Sequence, residues 1–158
     1  MAKVDAIFNV RSFDKEKNPH IQSLFSDKLW GLSPRYKWVW EPLDIGSRVL
    51  FHGDKGLKIA GIIENKFKND KPVKYWTDNP TGYPYQFKIK LLNTDVDDIN
   101  PIYNSKLVKQ YNIMSAKSGF FRTSAVIFPD EELKLRTKYK KKKFDRIWND
   151  FTKENKLE

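Results

Sequence analysis

Two apolar runs on either side of a glycine-rich turn constrain the fold most strongly. Residues 48–52 (RVLFH) and 57–64 (LKIAGIIE) have the apolar, β-branched composition of strands, and residues 53–56 (GDKG) lie between them. Short strand-like runs joined by a turn of Gly and Asp are typical of a hairpin. The pattern therefore predicts a β-hairpin, and hence a chain that contains a β-sheet.

Further strands are predicted at both ends of the chain and in its middle. Residues 4–10 (VDAIFNV) and 124–128 (SAVIF) are short apolar runs, and residues 85–92 (YQFKIKLL) alternate between apolar and polar side chains. Alternation with a period of two indicates a half-buried strand. The aromatic segment 29–41, interrupted by Gly31 and Pro34, predicts an ordered loop, and residues 65–83 predict a long polar loop.

Two helices are predicted. Asn18 and Pro19 can open the first, because proline suits the first helical turn. The second is expected over residues 130–152, where Phe144, Ile147, Trp148 and Phe151 recur with the spacing of one helical face. That face predicts packing on the sheet or on a neighbouring domain. The four lysines at 140–143 are interpreted as a solvated face, and the class predicted is α+β.

The charge balance favours a polyanionic partner. Thirty Lys and Arg against twenty Asp and Glu give the chain a net charge of +10, and aromatic residues make up 15% of it. Basic charge attracts phosphate, and rings can stack on bases, so nucleic acid is the predicted partner. Simple solubility is the alternative use of the charge. There is no cysteine, no signal sequence and no membrane-spanning run, which predicts a cytoplasmic protein without membrane association.

Motifs for catalysis and for metal binding are missing from the sequence. His20 and His52 lie far apart, and no phosphate-binding glycine loop or nucleophile turn is present. The chain is therefore predicted to have no enzymatic activity, no metal and no cofactor. A magnesium-dependent nuclease that uses Asp95, Asp97 and Asp98 is the alternative, although a solvated turn explains that cluster better.

Four stretches in order resemble the EVE and YTH branches of the PUA-like superfamily. They are residues 29–34 (LWGLSP), 44–52 (DIGSRVLFH), 58–64 (KIAGIIE) and 83–90 (YPYQFKIK), with weaker echoes at 118–121 and 128–131. The resemblance implies a twisted β-barrel with flanking helices over residues 1–131, followed by a basic C-terminal helix or linker over residues 132–158. It also implies a pocket that takes one extruded base.

The resemblance further implies a reader of modified bases, with modified DNA favoured over RNA. EVE domains joined to McrB-type restriction proteins bind modified DNA, so an AAA+ GTPase motor domain and a nuclease subunit are expected partners. A free-standing RNA-binding module in RNA modification or translation is the alternative.

The resemblance places the base-binding pocket around Trp30, which matches a cage tryptophan of the family. Tyr85 is a candidate second wall, although alignment on YTH strands instead puts Leu91 there, which departs from the aromatic pattern. Asn18 and His20 are candidates for the base edge, and Ser33 is a further residue of the pocket. Rings could also come from Trp38, Trp40, Tyr75 or Trp76. The phosphate contacts are assigned to Arg35, Lys37, Lys117 and Arg122.

Overall fold

The computed structural model describes residues 2–53, 55–113, 124–133, 135, 137 and 139–157. Within these residues one mixed sheet is formed by strands β1 Val4–Arg11, β2 Leu29–Leu32, β3 Arg48–Gly53, β4 Gly56–Lys68, β5 Tyr85–Leu91, β6 Ile102–Tyr103 and β7 Ala125–Pro129. The helices are α1 Pro19–Asp27, α2 Lys37–Trp40, α3 Asn104–Lys109 and α4 Lys141–Glu154, and a 3₁₀ turn spans Pro34–Tyr36. The α+β prediction is confirmed.

The sheet runs in the order β2-β5-β4-β3-β1-β7, with β6 paired to β4. β1 and β3 are parallel, while every other pairing of the described strands is antiparallel, including the predicted hairpin of β3 and β4. The first half of β4 pairs with β3 and its second half with β5, and the register of the second pairing shifts between Ile63 and Asn65. Such irregularities bend a strand, and the sheet curls into a half-barrel.

Both faces of the curled sheet are covered. Phe8 and Phe51 point into an inner core that α1 closes with Ile21 and Leu24. The neighbouring residues of the same strands point outward because side chains alternate across a strand. They join an outer core with the apolar face of α4, whose members are Ile7, Leu50, Phe144, Ile147, Trp148 and Phe151. No described helix is both long and apolar enough to cross a bilayer.

Three segments differ from their predicted structure. The predicted loop at 29–41 contains β2 and α2, because Trp30 pairs with Phe87 across the sheet and a single segment does not reveal its cross-strand partner. Residues 65–68 extend β4 rather than beginning a loop. The C-terminal helix begins at Lys141, because Asp130 instead holds a turn by accepting hydrogen bonds from the backbone of Glu132 and Leu133.

A buried charge cluster joins β1, β3 and α4. Asp5, only 1% exposed, accepts hydrogen bonds from the backbone N–H of Arg48 (2.9 Å), its Nη2 (2.7 Å) and Nζ of Lys141 (2.6 Å). Arg48 also pairs with Asp145, and its guanidinium lies over the rings of α4. Lys141 belongs to the lysine run that was predicted to be solvated, but its side chain is 22% exposed, against 81% for Lys142. The run is therefore solvated only in part.

Replacing Asp5 with Asn is expected to lower the free energy of unfolding by about 2–4 kcal/mol. The change leaves Lys141 and Arg48 without their buried anion, although Arg48 keeps Asp145. Urea unfolding measures the effect. Glu132→Gln, which removes an exposed ion pair with Lys3, is the matched control and should cost less than about 1 kcal/mol. Equal losses in the two variants would contradict a special role for the buried cluster.

Candidate functional site

A cavity of about 450 Å³ opens where β1 and β2 end. Its walls are formed by several parts of the chain. They include residues 9–12 at the end of β1, the start of α1, residues 30–33 in and after β2, and Ser124 just before β7. Four flat side chains line it: His20, Trp30, Tyr36 and Tyr83. Its volume and its rings suit a small planar ligand.

Trp30 belongs to both the core and the cavity. Its ring packs on Phe8 (5.8 Å between centroids) and, edge to face, on Phe51 (5.2 Å), and only 5% of the residue is exposed. Its indole Nε1 has no hydrogen-bond partner among the described residues. A buried N–H without a partner is costly. Trp30 therefore contributes a fixed ring to the cavity wall, while its indole N–H is buried.

His20 is held among three aromatic rings. Tyr83 meets it edge to face at 4.5 Å, and the rings of Trp76 and Trp30 lie at 5.2 and 5.9 Å. Burial lowers the pKa of His20 from 6.5 to about 4. The imidazole is therefore neutral at physiological pH, with one nitrogen that donates and one that accepts.

Gly31 allows these rings to approach β2. A Cβ atom at this position would lie 2.5 Å from Cη2 of Trp76 and 2.9 Å from Cβ of Tyr83. Trp76 itself is 2% exposed, and its Nε1 donates to the hydroxyl of Ser23. Trp76 therefore supports the cavity from behind, and the absence of a side chain at Gly31 sets how close this support comes.

The polar residues at the start of α1 and after β2 form hydrogen bonds with backbone groups. The amide of Asn18 donates to the carbonyls of Val10 (2.6 Å) and Ser12 (3.0 Å), and its oxygen caps α1 by accepting from the N–H of His20. Ser33 lines the cavity, and its carbonyl accepts from the N–H of Tyr36 at the 3₁₀ turn. Asn18 thus orients His20, since it fixes the first turn of the helix.

The charge at the cavity is positive. Arg11 and Lys17 line it, and none of the described lining residues is acidic. Arg11 has a φ of 65°, which non-glycine residues rarely adopt and which often marks a functional segment. A hydrogen bond with Ser124 lowers the pKa of Tyr36, and the positive charges of Arg35 and Arg11 lower it further. Both guanidinium groups therefore act near this hydroxyl.

The predicted site residues divide into two groups. Trp30, Ser33, Asn18 and His20 lie together at the cavity, whereas Trp76, Tyr85 and Leu91 do not line it. Tyr85 packs on Trp40 at 5.1 Å, and Leu91 packs against the inner core. Among the predicted phosphate contacts, Arg35 and Lys37 are exposed, with Lys37 paired to Glu41 at 3.5 Å, while Lys117 and Arg122 lie outside the described residues.

Four charged or aromatic residues that line the cavity had been given no role by the sequence prediction: Arg11, Lys17, Tyr36 and Tyr83. Tyr36 and Tyr83 come from segments that were predicted to be loops, and only the fold brings them to the same cavity. The available signal was an aromatic residue in a loop beside glycine, proline or arginine, since binding residues are often carried on loops.

Two other polar regions are weaker candidates. A second cavity of about 560 Å³ beside α3 and α4 is lined by side chains of both charges, including Lys106, Asp150 and Glu154, and by no aromatic ring. Asp95 accepts hydrogen bonds from the backbone N–H groups of Asp97 and Asp98, which is the geometry of an ordinary turn. The described residues contain no group of three or more His, Cys, Asp or Glu that could hold a metal.

The fold matches a solved structure of another protein. The chain is similar to a structure described as "YTH domain-containing protein mmi1 and RNA complex", with a TM-score of 0.57 and 8% sequence identity, over 94% of this chain and 82% of that chain. At this identity the match establishes the fold, which is the YTH/PUA-like barrel predicted from the sequence. No protein-family model and no curated protein sequence matches the chain.

The low pKa of His20 predicts a pH-dependent stability. In the unfolded chain His20 takes up a proton near pH 6.5, whereas the folded chain takes it up only near pH 4. Its contribution to stability is therefore fully present above about pH 6.5 and is lost as the pH falls towards about 4. Urea unfolding at a series of pH values should show a steeper loss in the wild type than in His20→Phe. An NMR titration in which His20 ionises near pH 6.5 would contradict the prediction.

Proposed function

We propose that this chain is a non-catalytic reader that takes one extruded, modified nucleobase into the cavity beside Trp30. The observation that carries the proposal is the cavity itself, which combines four flat side chains with a cationic rim. The structural similarity to a YTH domain that was solved with RNA supports the choice of nucleic acid as the partner.

The chemistry of the walls suits a neutral base. Trp30, Tyr36 and Tyr83 offer π faces, and stacking on a ring contributes about 1–3 kcal/mol per base. Extruding a base costs a few kcal/mol, so several walls and a polar contact are required. The neutral imidazole of His20 supplies such a contact to the base edge. Arg11 and Lys17 are placed to contact the backbone phosphates, which carry no sequence information.

The finer proposal is that the substrate is modified DNA and that the chain targets a restriction system. Its basis is the resemblance of residues 29–90 to EVE domains, together with the charge of +10. An AAA+ GTPase motor and a nuclease subunit are then the partners, because a reader without catalytic groups needs another protein to cut the target.

An RNA-binding role is the second candidate function. The specific observation in its favour is that the structurally similar YTH domain was solved as an RNA complex. Competition between RNA and DNA strands of the same sequence separates the two candidates, since a protein that contacts the 2′-hydroxyl prefers RNA.

Titration of single strands with and without N6-methyladenine tests the general proposal. We expect tighter binding of the modified strand, because the added methyl group is apolar and the cavity rings can cover it. Equal and negligible binding of both strands would overturn the proposal.

Tyr83→Ala is expected to remove the preference for the modified strand. The change deletes one ring of the cavity and should cost about 1–3 kcal/mol on the specific complex while non-specific binding persists. Tyr75→Ala is the matched control, because the hydroxyl of Tyr75 bonds to Asp27 and its ring does not line the cavity. Isotherms for both variants provide the measurement, and an equal loss in the two would place the binding site elsewhere.

Arg35→Ala is expected to weaken modified and unmodified strands alike. Each residue that contacts a phosphate releases about one counterion on binding. The slope of the logarithm of the binding constant against the logarithm of the salt concentration should therefore become less steep by roughly one unit. Lys37→Ala should have a smaller effect, because Lys37 already pairs with Glu41. A salt series of binding isotherms provides the measurement. An unchanged slope in Arg35→Ala would mean that Arg35 does not contact the nucleic acid.

A further inference from the structure

Trp38 is exposed, whereas the other four tryptophans of the chain are buried or half-buried. Its exposed fraction is 53%, against 5% for Trp30, 2% for Trp76 and 9% for Trp148. Trp40, the remaining tryptophan, is half-buried. An isolated exposed ring needs no explanation by itself, but the position of this ring is fixed and lies close to the cavity.

The neighbours of Trp38 in α2 prevent it from turning inward. Val39 is fully buried in the inner core, and the indole of Trp40 donates to the carbonyl of Gln86 while its ring packs on Tyr85. Successive residues of a helix point about 100° apart. With Val39 and Trp40 anchored to the sheet, the ring of Trp38 is left on the outer side of α2.

The ring of Trp38 continues the aromatic lining of the cavity. The Trp38 and Tyr36 ring centroids are 6.4 Å apart with an angle of 37° between the planes, and Tyr36 is itself a lining residue. Arg35 and Lys37, on either side of Tyr36 in the sequence, are both exposed. A π face and positive charge thus lie side by side just outside the cavity.

We propose that Trp38 and Tyr36 form a stacking platform for the base next to the extruded one, and that the strand bound is single-stranded. This inference rests on the proposed function. Positive charge beside an open ring fits a nucleotide, whose base stacks while its phosphate is neutralised. A single strand is the appropriate partner, because a neighbouring base in a duplex stays paired inside the helix and cannot reach an external ring unless it is extruded as well. Arg35 contacts the phosphate between the two bases.

Abasic substitution tests the platform directly. The probe is a short single strand with one N6-methyladenine, in which the base on its 5′ side or on its 3′ side is removed. For the wild type we expect removal on one side to weaken binding at least about fivefold, and removal on the other side to have little effect. Trp38→Ala should bind the intact strand as weakly as the wild type binds the sensitive abasic strand, and should be indifferent to the abasic site.

Ile45→Ala provides the matched control. Ile45 is also an exposed apolar residue (59%), but it does not line the cavity, so this variant should keep the wild-type sensitivity to the abasic site. The fluorescence of Trp38, isolated as the difference between the wild type and Trp38→Phe, should be quenched by the intact strand and less by the sensitive abasic strand. Matched duplexes should bind more weakly than single strands.

The outcomes separate this inference from the proposed function. A wild type that prefers the methylated strand but ignores both abasic sites overturns the platform and leaves the cavity reader intact. An equal loss of affinity in Trp38→Ala for intact and abasic strands also overturns the platform, because stacking would not be the cause. If no strand binds at all, the cavity reader and the platform fail together.

Discussion

Burial of the central strands on both faces is the constraint on which the rest of the structure depends. Ile7 and Phe8 are adjacent in β1 and both are fully buried, and the same holds for Leu50 and Phe51 in β3. Each face therefore requires a cover of its own. The curl of the sheet and α1 cover the inner face, while α3 and α4 cover the outer face. The carboxylate of Asp5 ties the outer cover to the sheet because it binds both Arg48 and Lys141.

The candidate site lies where the inner core reaches the surface. Trp30 packs on Phe8 and Phe51 on one side and lines the cavity on the other, so the rigidity of the core extends to the cavity wall. His20 is neutral for the same reason, since the rings that position it also exclude water. A site of this kind is preorganised, because its rings are already held in place before a ligand binds.

The sequence predicted the parts of the structure that local patterns encode. The hairpin of β3 and β4, the strand β5 and the start of α1 after its cap Asn18 follow from alternation, turn composition and capping. The prediction of a loop at residues 29–41 was wrong, because β2 is defined by its pairing with β5. The same segment contains Trp38 and Trp40, which have different surroundings in α2, since Trp38 is exposed and Trp40 packs on Tyr85. Tyr83 could not be grouped with Trp30, since 53 positions separate the two residues in the sequence.

Gly31 has a consequence for anyone who would redesign this cavity. Trp76 and Tyr83 occupy the space that a side chain at this position would need. A larger residue here would therefore displace these two side chains instead of changing the space available to a ligand. Ser33, two residues further along the chain, lines the same cavity and already carries a side chain. A change in the shape of the cavity should therefore begin at Ser33 and leave Gly31 unchanged, so that Gly31 is the fixed position and Ser33 the variable one.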